Sequence, residues 1–307
     1  MTSTHTYRGI VWIDLQSPSD DEISGLVKRY GLHALVGEEL RQKSSVAKVD
    51  FYKDYIVVVL TLPLRVKTTH GYEIAEREID FVIGKNFLIT SRTDTIEQME
   101  YFAKVFEANA ILNKDEKIEH AGFLFYYMVK RIYAGMVEDL ENIKDALTTA
   151  ETRIFNGDER KMVEVLSNLS RELIDIKQTA RTHRDVWEAM VLSADHELFG
   201  KGFDSYIRDI RDEFNAIHEH IVNARELLAD LRETNDSLLN TKQNNIIKIL
   251  TLVSFIFIPL TFVASLFTIP APNVPLIGSQ YGWWIIFGGM LILTVGMWVY
   301  FKEKRWI

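Results

Sequence analysis

The stretch ILTLVSFIFIPLTFVASLFTI, Ile249–Ile269, carries no charged side chain. As an α-helix it would rise about 31 Å, close to the hydrocarbon thickness of a bilayer. A second uncharged run, WWIIFGGMLILTVGMWVYF, occupies Trp283–Phe301. One such run can be a buried core helix; two in tandem predict two membrane spans. Between them, Pro270–Gly282 holds three prolines, two glycines and no charge, so the helix must break and the chain must turn. The spans are therefore expected to run antiparallel. Lys242 and Lys248 precede the first span, and Lys302, Lys304 and Arg305 follow the second, whereas the loop has neither Lys nor Arg. The positive-inside rule puts both ends in the cytoplasm. Trp283, Trp284, Trp298, Tyr300 and Trp306 fall where interfacial aromatics are expected.

Upstream of about Asn245 the sequence is charged and reads as soluble. The hydrophobic fraction of 47% over 307 residues is ordinary only because it averages these two unlike parts. The net charge of −8 argues against nucleic-acid binding, which needs basic clusters. The chain has no cysteine, which excludes disulfides and thiolate metal sites. Met1–Ile10 shows no basic segment followed by an apolar one, so no signal peptide is read.

Residues 1–112 mix strand and helix signals. GIVWIDL (Gly9–Leu15), YIVVVLTL (Tyr55–Leu62) and IDFVIGKNFLIT (Ile79–Thr90) are rich in β-branched and aromatic residues and read as strands. Ser19 or Asp20 suits the cap of a helix running through Tyr30. A small α/β domain is expected. Residues 113–202 read as long antiparallel helices, roughly 115–155 and 158–198, broken at Asn156–Gly157 and again at Gly200–Gly202.

The next helix carries Phe203, Ile207, Ile210, Phe214, Ile217, Ile221, Ala224, Leu228, Leu231, Asn235 and Leu238 in alternating steps of four and three. That spacing marks a bundle or coiled-coil helix. Two readings stand: contact between subunits, or packing inside the chain. No breaker separates this stalk, 203–248, from the first span, so one helix can run through both.

Inside the span, Asn244, Ile247, Thr251, Ser254, Ile258 and Thr261 again step by three and four, and Ser265 and Thr268 extend the series. One face thus holds the hydroxyl groups, while Leu252, Phe255 and Phe262 point elsewhere. Polar groups in hydrocarbon seek a partner helix, their own backbone, or water. The face is either helix–helix glue or a pore lining. Two spans cannot enclose a pore, so the second reading requires several copies of the chain.

The stretch NNIIKILTLVSFIFIPLTFVA (Asn244–Ala264), with Lys248–Leu250 and Pro259–Thr261, resembles the first membrane helix of the CorA family of divalent cation transporters. The ending VYFKEKRWI (Val299–Ile307) is similar to the family's last residues. Trp12–Leu15 followed by Pro18, Lys48–Asp50 with Tyr55, and Ile83–Asn86 fit the family's N-terminal domain.

The resemblance implies a funnel-shaped homopentamer in the cell inner membrane: an α/β cytoplasmic domain (1–112), long helices (113–202), a stalk (203–248), a pore helix (249–269), an extracytoplasmic loop (270–282), a second span (283–301) and a basic cytoplasmic tail (302–307). It implies that Asn244 and Thr261 line a pore, with a hydrophobic gate at Ile247 and Leu250 that can close by dewetting, and the phase of the helix adds Thr251 and Ser254 to that lining. It implies a regulatory cation site at Asp209, within Tyr206–Asp209, with Asp212 one turn on. Paired carboxylates suit a hard cation. Asp50 and Asp54 are candidate partners from the N-terminal domain.

One departure matters. The family's Gly-Met-Asn signature is replaced by Thr268–Ile269–Pro270, and the acidic residue of the loop is missing. The carboxamide ring that would hold a hydrated cation is gone, which bears on magnesium selectivity because magnesium dehydrates reluctantly.

His218 and His220 diverge on a helix and make a poor zinc site. Glu138, Asp139, Glu141 and Asp145 read as a solvated face that can also concentrate cations. No phosphate loop and no G-x-S-x-G occurs, so no enzyme is expected. The expected partners are the lipid bilayer, further copies of the chain, and divalent cations, magnesium or a transition metal, as transported or regulatory ions. No tightly bound cofactor is expected. The competing reading is a non-conducting membrane-anchored sensor or scaffold on the same fold.

Overall fold

The computed structural model describes residues 2–44, 46–69, 71–112, 120–193, 198–200, 202–268 and 280–304. The chain divides into two compact units, Met1–Arg232 and Glu233–Ile307.

The first unit is built on a six-stranded sheet. Its strands are β1 (Thr2–Tyr7), β2 (Ile10–Gln16), β3 (Lys48–Phe51), β4 (Tyr55–Thr68), β5 (Gly71–Gly84) and β6 (Phe87–Arg92), in the order β1-β2-β6-β5-β4-β3. Only β2 and β6 pair in parallel. The segment Ile79–Thr90, read from sequence as one strand, is the end of β5, a turn at Lys85–Asn86, and β6. Ile83 pairs with Leu88 across that turn. Apolar residues run through both arms, so periodicity alone could not reveal the reversal. Gly84 permits it, because a Cβ there would run into the Phe87 ring.

Helices cover both faces of the sheet. α1 (Asp20–Tyr30) starts at Ser19, whose side chain accepts from the Glu22 backbone N–H while Glu22 returns to the Ser19 N–H, and it ends at Gly31 with φ 64°. With α2 (Ala34–Glu39) it buries Ile23, Leu26, Val36 and Leu40 against Ile13, Leu15, Val57, Val82 and Ile89 of the sheet. On the other face, α3 (Glu97–Leu112) sets Phe102 5.8 Å and Phe106 5.9 Å from Trp12, and α4 (Ala121–Phe155) sets Phe125 5.1 Å from Phe81. Beneath them lies a buried polar chain. Trp12 donates to Thr90 (3.0 Å), Thr90 donates to Asp14 (2.7 Å), and the Arg92 guanidinium donates to the same carboxylate (2.9 Å).

α4 ends at Asn156, and Gly157 turns the chain with φ 98°. The single helix expected over 158–198 is two, α5 (Glu159–Ala180) and α6 (His183–Leu192). The Thr182 hydroxyl bonds the Thr179 carbonyl at the break (3.1 Å), and His183 enters the core. There its Nε2 lies 2.8 Å from the Thr61 carbonyl and its Nδ1 3.0 Å from the Tyr133 hydroxyl, which also accepts from Trp187 (2.7 Å). A carbonyl only accepts, so Nε2 carries the proton and the Tyr133 hydroxyl donates to Nδ1.

Burial lowers the His183 pKa to about 4. The unfolded ring binds a proton near pH 6.5 and the folded one does not, so stability is lost as pH falls from about 6.5 to about 4. The full loss is about 3 kcal/mol. Melting of the protein across that window should show the decline; a flat profile would mean that the ring is not held neutral.

α7 (Asp204–Leu266) follows Gly200 and Gly202, whose φ values of 77° and 112° break the chain as expected. Its stripe from Phe203 through Leu231 is buried, and Phe214 lies 6.0 Å from Tyr133. Within the first unit the stripe therefore serves packing inside the chain.

The second unit holds the rest of α7 and α8 (Gly282–Glu303). Leu252 and Phe301 are buried here, and Phe255 meets Phe301 at 6.4 Å. Otherwise almost none of either apolar stretch is buried by the chain itself. A core helix of this chain would be covered, and neither stretch is.

Candidate permeation face and carboxylate sites

On α7, Leu252 and Phe255 lie on the side that meets α8, while Asn244, Thr251 and Thr261 are exposed and Ser254 is half-exposed. Each hydroxyl of this face bonds backward along its own helix. Thr251 donates to the Ile247 carbonyl (2.8 Å), Ser254 to Leu250 (2.9 Å), Thr261 to Phe257 (2.8 Å) and Ser265 to Thr261 (2.8 Å). The hydroxyl protons are thereby used, and the outward lone pairs are left as acceptors. An acceptor-only stripe suits a cation or the hydrogens of its hydration water and disfavours an anion. Pro259, which has no N–H, leaves the Phe255 carbonyl without its intrahelical donor.

At the cytoplasmic end proposed from the flanking charges, Ile247 is 50% and Leu250 65% exposed in the single chain. Apolar side chains bare to this degree need lipid or another protein surface to cover them. At the far end Thr268 donates to the Ser265 carbonyl (2.7 Å). Ile269 and Pro270 lie outside the described residues.

Asp209 is engaged within its own chain. Its Oδ2 accepts from the Tyr126 hydroxyl (2.6 Å) and the Lys130 ammonium (2.9 Å). Those bonds, Tyr126 first, hold its carboxyl below the ordinary carboxylate range. Lys130 also reaches Glu213 (3.4 Å). Asp212 pairs with Arg211 (2.7 Å), and Asp50 with Lys48 (3.4 Å). Among the described residues, no three His, Asp or Glu side chains converge closely enough to hold a metal. Sequence reading missed Tyr126 and Lys130 because both sit on a different helix, 79 or more residues away. It also missed Glu39, Glu78 and Asp80, which are drawn together beneath α2. Acidic residues at inward positions of β5 were the available signal.

The family model for CorA-like Mg2+ transporter protein matches residues 7–305. The chain belongs to the CorA family. CorA relatives of similar length align along nearly the whole chain. The cobalt/magnesium transport protein CorA of Thermotoga maritima is 24% identical over 96% of this chain and 83% of its own. That of Methanocaldococcus jannaschii is 24% identical over 99% of this chain and 93% of its own. The complete structure of the CorA magnesium transporter from Methanocaldococcus jannaschii superposes with a TM-score of 0.83 at 21% identity, covering 97% of this chain and 92% of that one. The N-terminal α/β domain, the long helix and the two candidate membrane helices are thus the CorA fold. CorA proteins are membrane transporters of divalent cations, and this chain is a member of that transporter family.

Proposed function

We propose that the protein conducts divalent metal cations across the cell inner membrane as a homopentamer whose five α7 helices surround the pore. Asn244, Thr251, Ser254 and Thr261 line it, and Ile247 and Leu250 form an apolar constriction that closes by losing water. Both termini lie in the cytoplasm. The hydroxyl stripe carries this reading, since its acceptors share one face, interrupted at Ile258, and are exposed or half-exposed in the single chain. A ring of subunits would place it around an axis while the apolar flanks meet lipid.

The outer carboxamides are missing, and the hydroxyls of Ser265 and Thr268 are the last polar groups of this face among the described residues. Magnesium and transition metals such as cobalt are both candidate cargo. Asp209 is a candidate regulatory ligand with Asp212. A cation arriving there would compete with Lys130 for the carboxylate.

The test is flux into proteoliposomes holding the purified oligomer, with trapped indicators for magnesium and for a transition metal. A saturable signal absent from empty vesicles is expected, and the responding dye would identify the ion class. Silence of both dyes, with the oligomer intact, would overturn conduction and leave a membrane-anchored sensor or scaffold.

A further inference from the structure

Among the described residues, three buried carboxyl oxygens near the end of α2 have no hydrogen-bond partner: Glu39 Oε2, Glu78 Oε2 and Asp80 Oδ1. Glu39 ends α2. Glu78 and Asp80 stand two apart on β5, on the face that α1 and α2 cover, where the next residue in step, Val82, belongs to the core. Asp80 is 6% and Glu78 7% exposed.

Few groups are available to compensate them. Lys48 of β3 shares a cross-strand row with Asp80 through Val59 of β4. Its ammonium is already divided between Glu39 and Asp50. The Ser44 backbone N–H serves the other oxygen of Glu78 (2.9 Å). Lys43 reaches the Glu76 backbone carbonyl (3.4 Å), and the Glu76 carboxylate accepts from Thr179 (2.9 Å). Tyr52 and Tyr55, stacked at 4.6 Å, are further titratable groups beside Lys48 and Asp50. From β4 and β6 come Thr61 and Ser91, opposite Glu78 and Asp80, and neither is charged.

A buried carboxylate is kept only with a compensating charge or as the neutral acid. Of the two nearby ammonium groups, Lys48 is divided between Glu39 and Asp50 and Lys43 bonds a backbone carbonyl, and no three carboxylates converge on a metal among the described residues. We infer that Glu78 and Asp80 hold a proton at neutral pH, and that this proton fastens α2, through Glu39, onto the sheet. Burial, then the charges of Glu78 and Glu39, push the Asp80 carboxyl well above its ordinary range, and burial raises Glu78 as well.

The sign follows from linkage. In the unfolded chain both acids ionise near pH 4, whereas the folded pair keeps its proton. Stability therefore falls as pH rises through the folded pKa, because ionisation gathers like charges beneath α2. His183 acts below about pH 6.5 and in the opposite direction. Asp139, pushed by burial up to about 6, has finished titrating near the same point. The interval from about pH 7 to about pH 9 thus separates the cluster from both, and the α-amino group that also titrates there is common to the native chain and the variants.

The experiment uses the full chain in detergent micelles. Infrared spectra at neutral pH should contain the carbonyl stretch of a protonated carboxyl, lost in Asp80→Asn. Across the interval the melting temperature should fall in the native chain, fall less in Glu78→Gln, and stay level in Asp80→Asn. Amide exchange in α2, taken relative to α1 at each pH, should speed up in the native chain, less in Glu78→Gln, and not in Asp80→Asn. Absence of the band, or equal slopes in the native chain and in whichever variant folds, would overturn the inference.

Discussion

Asn244→Leu should reduce cation flux at least tenfold while the oligomer and its melting temperature stay unchanged. Asn244 is exposed on α7, and no bond to the rest of the chain depends on its carboxamide. Leucine is the better helix former, so the fold gains rather than loses at this position. In the proposed ring the change is severe. Ile247 and Leu250 already form an apolar constriction, and a leucine below them would lengthen the zone that water must wet before a hydrated ion can pass. Asn244→Ser restores a hydroxyl in less volume and should retain part of the flux. Proteoliposome flux of the three proteins, with oligomeric state checked by size, decides the matter. Native flux in the leucine variant would remove Asn244 from the pore and, with it, the stripe assignment.

Asp14→Ala should cost about 3–5 kcal/mol, the cost of leaving one partner of a buried ion pair uncompensated. Arg92 would lose its carboxylate while remaining buried, and the Thr90 hydroxyl would lose its acceptor. Asp14→Asn keeps an acceptor for Thr90 but still leaves the guanidinium unpaired, so it should recover only part of the loss. Urea unfolding followed by Trp fluorescence is the direct measurement, since Trp12 belongs to the same chain of bonds. A change below 1 kcal/mol would show that water or another group takes over the guanidinium.

The membrane part was legible because composition alone excludes charge over Ile249–Ile269 and Trp283–Phe301, and because helical phase is a property of spacing. Phe203–Leu231 and Thr251–Thr261 could be placed on faces without a structure for the same reason. The start of α1 was readable from residue types that suit a cap at Ser19 or Asp20, and the structure uses Ser19 with Glu22. What spacing cannot give is pairing. Lys85–Asn86 lay hidden in an apolar run, and the edge strands β1 and β3 carry little apolar alternation. The break at Arg181–Thr182 contains neither Gly nor Pro. It follows from where His183 goes, a contact with β4 that is 122 residues distant in sequence. Asp209 was picked out by its neighbours in sequence, but its state depends on Tyr126 and Lys130, which only the fold brings to it.

The backward-bonded hydroxyls of α7 also bear on how such a protein is made. An unpaired O–H exposed to hydrocarbon is penalised, and helices that carry them usually wait for a neighbour. Thr251, Ser254, Thr261 and Ser265 have already given their protons to carbonyls of their own helix. These hydroxyls therefore need no partner helix when a single copy enters lipid. For the proposed ring, biogenesis would then separate into two stages, insertion of solitary chains and lateral gathering, and the stripe proposed to face water would be no obstacle to the first.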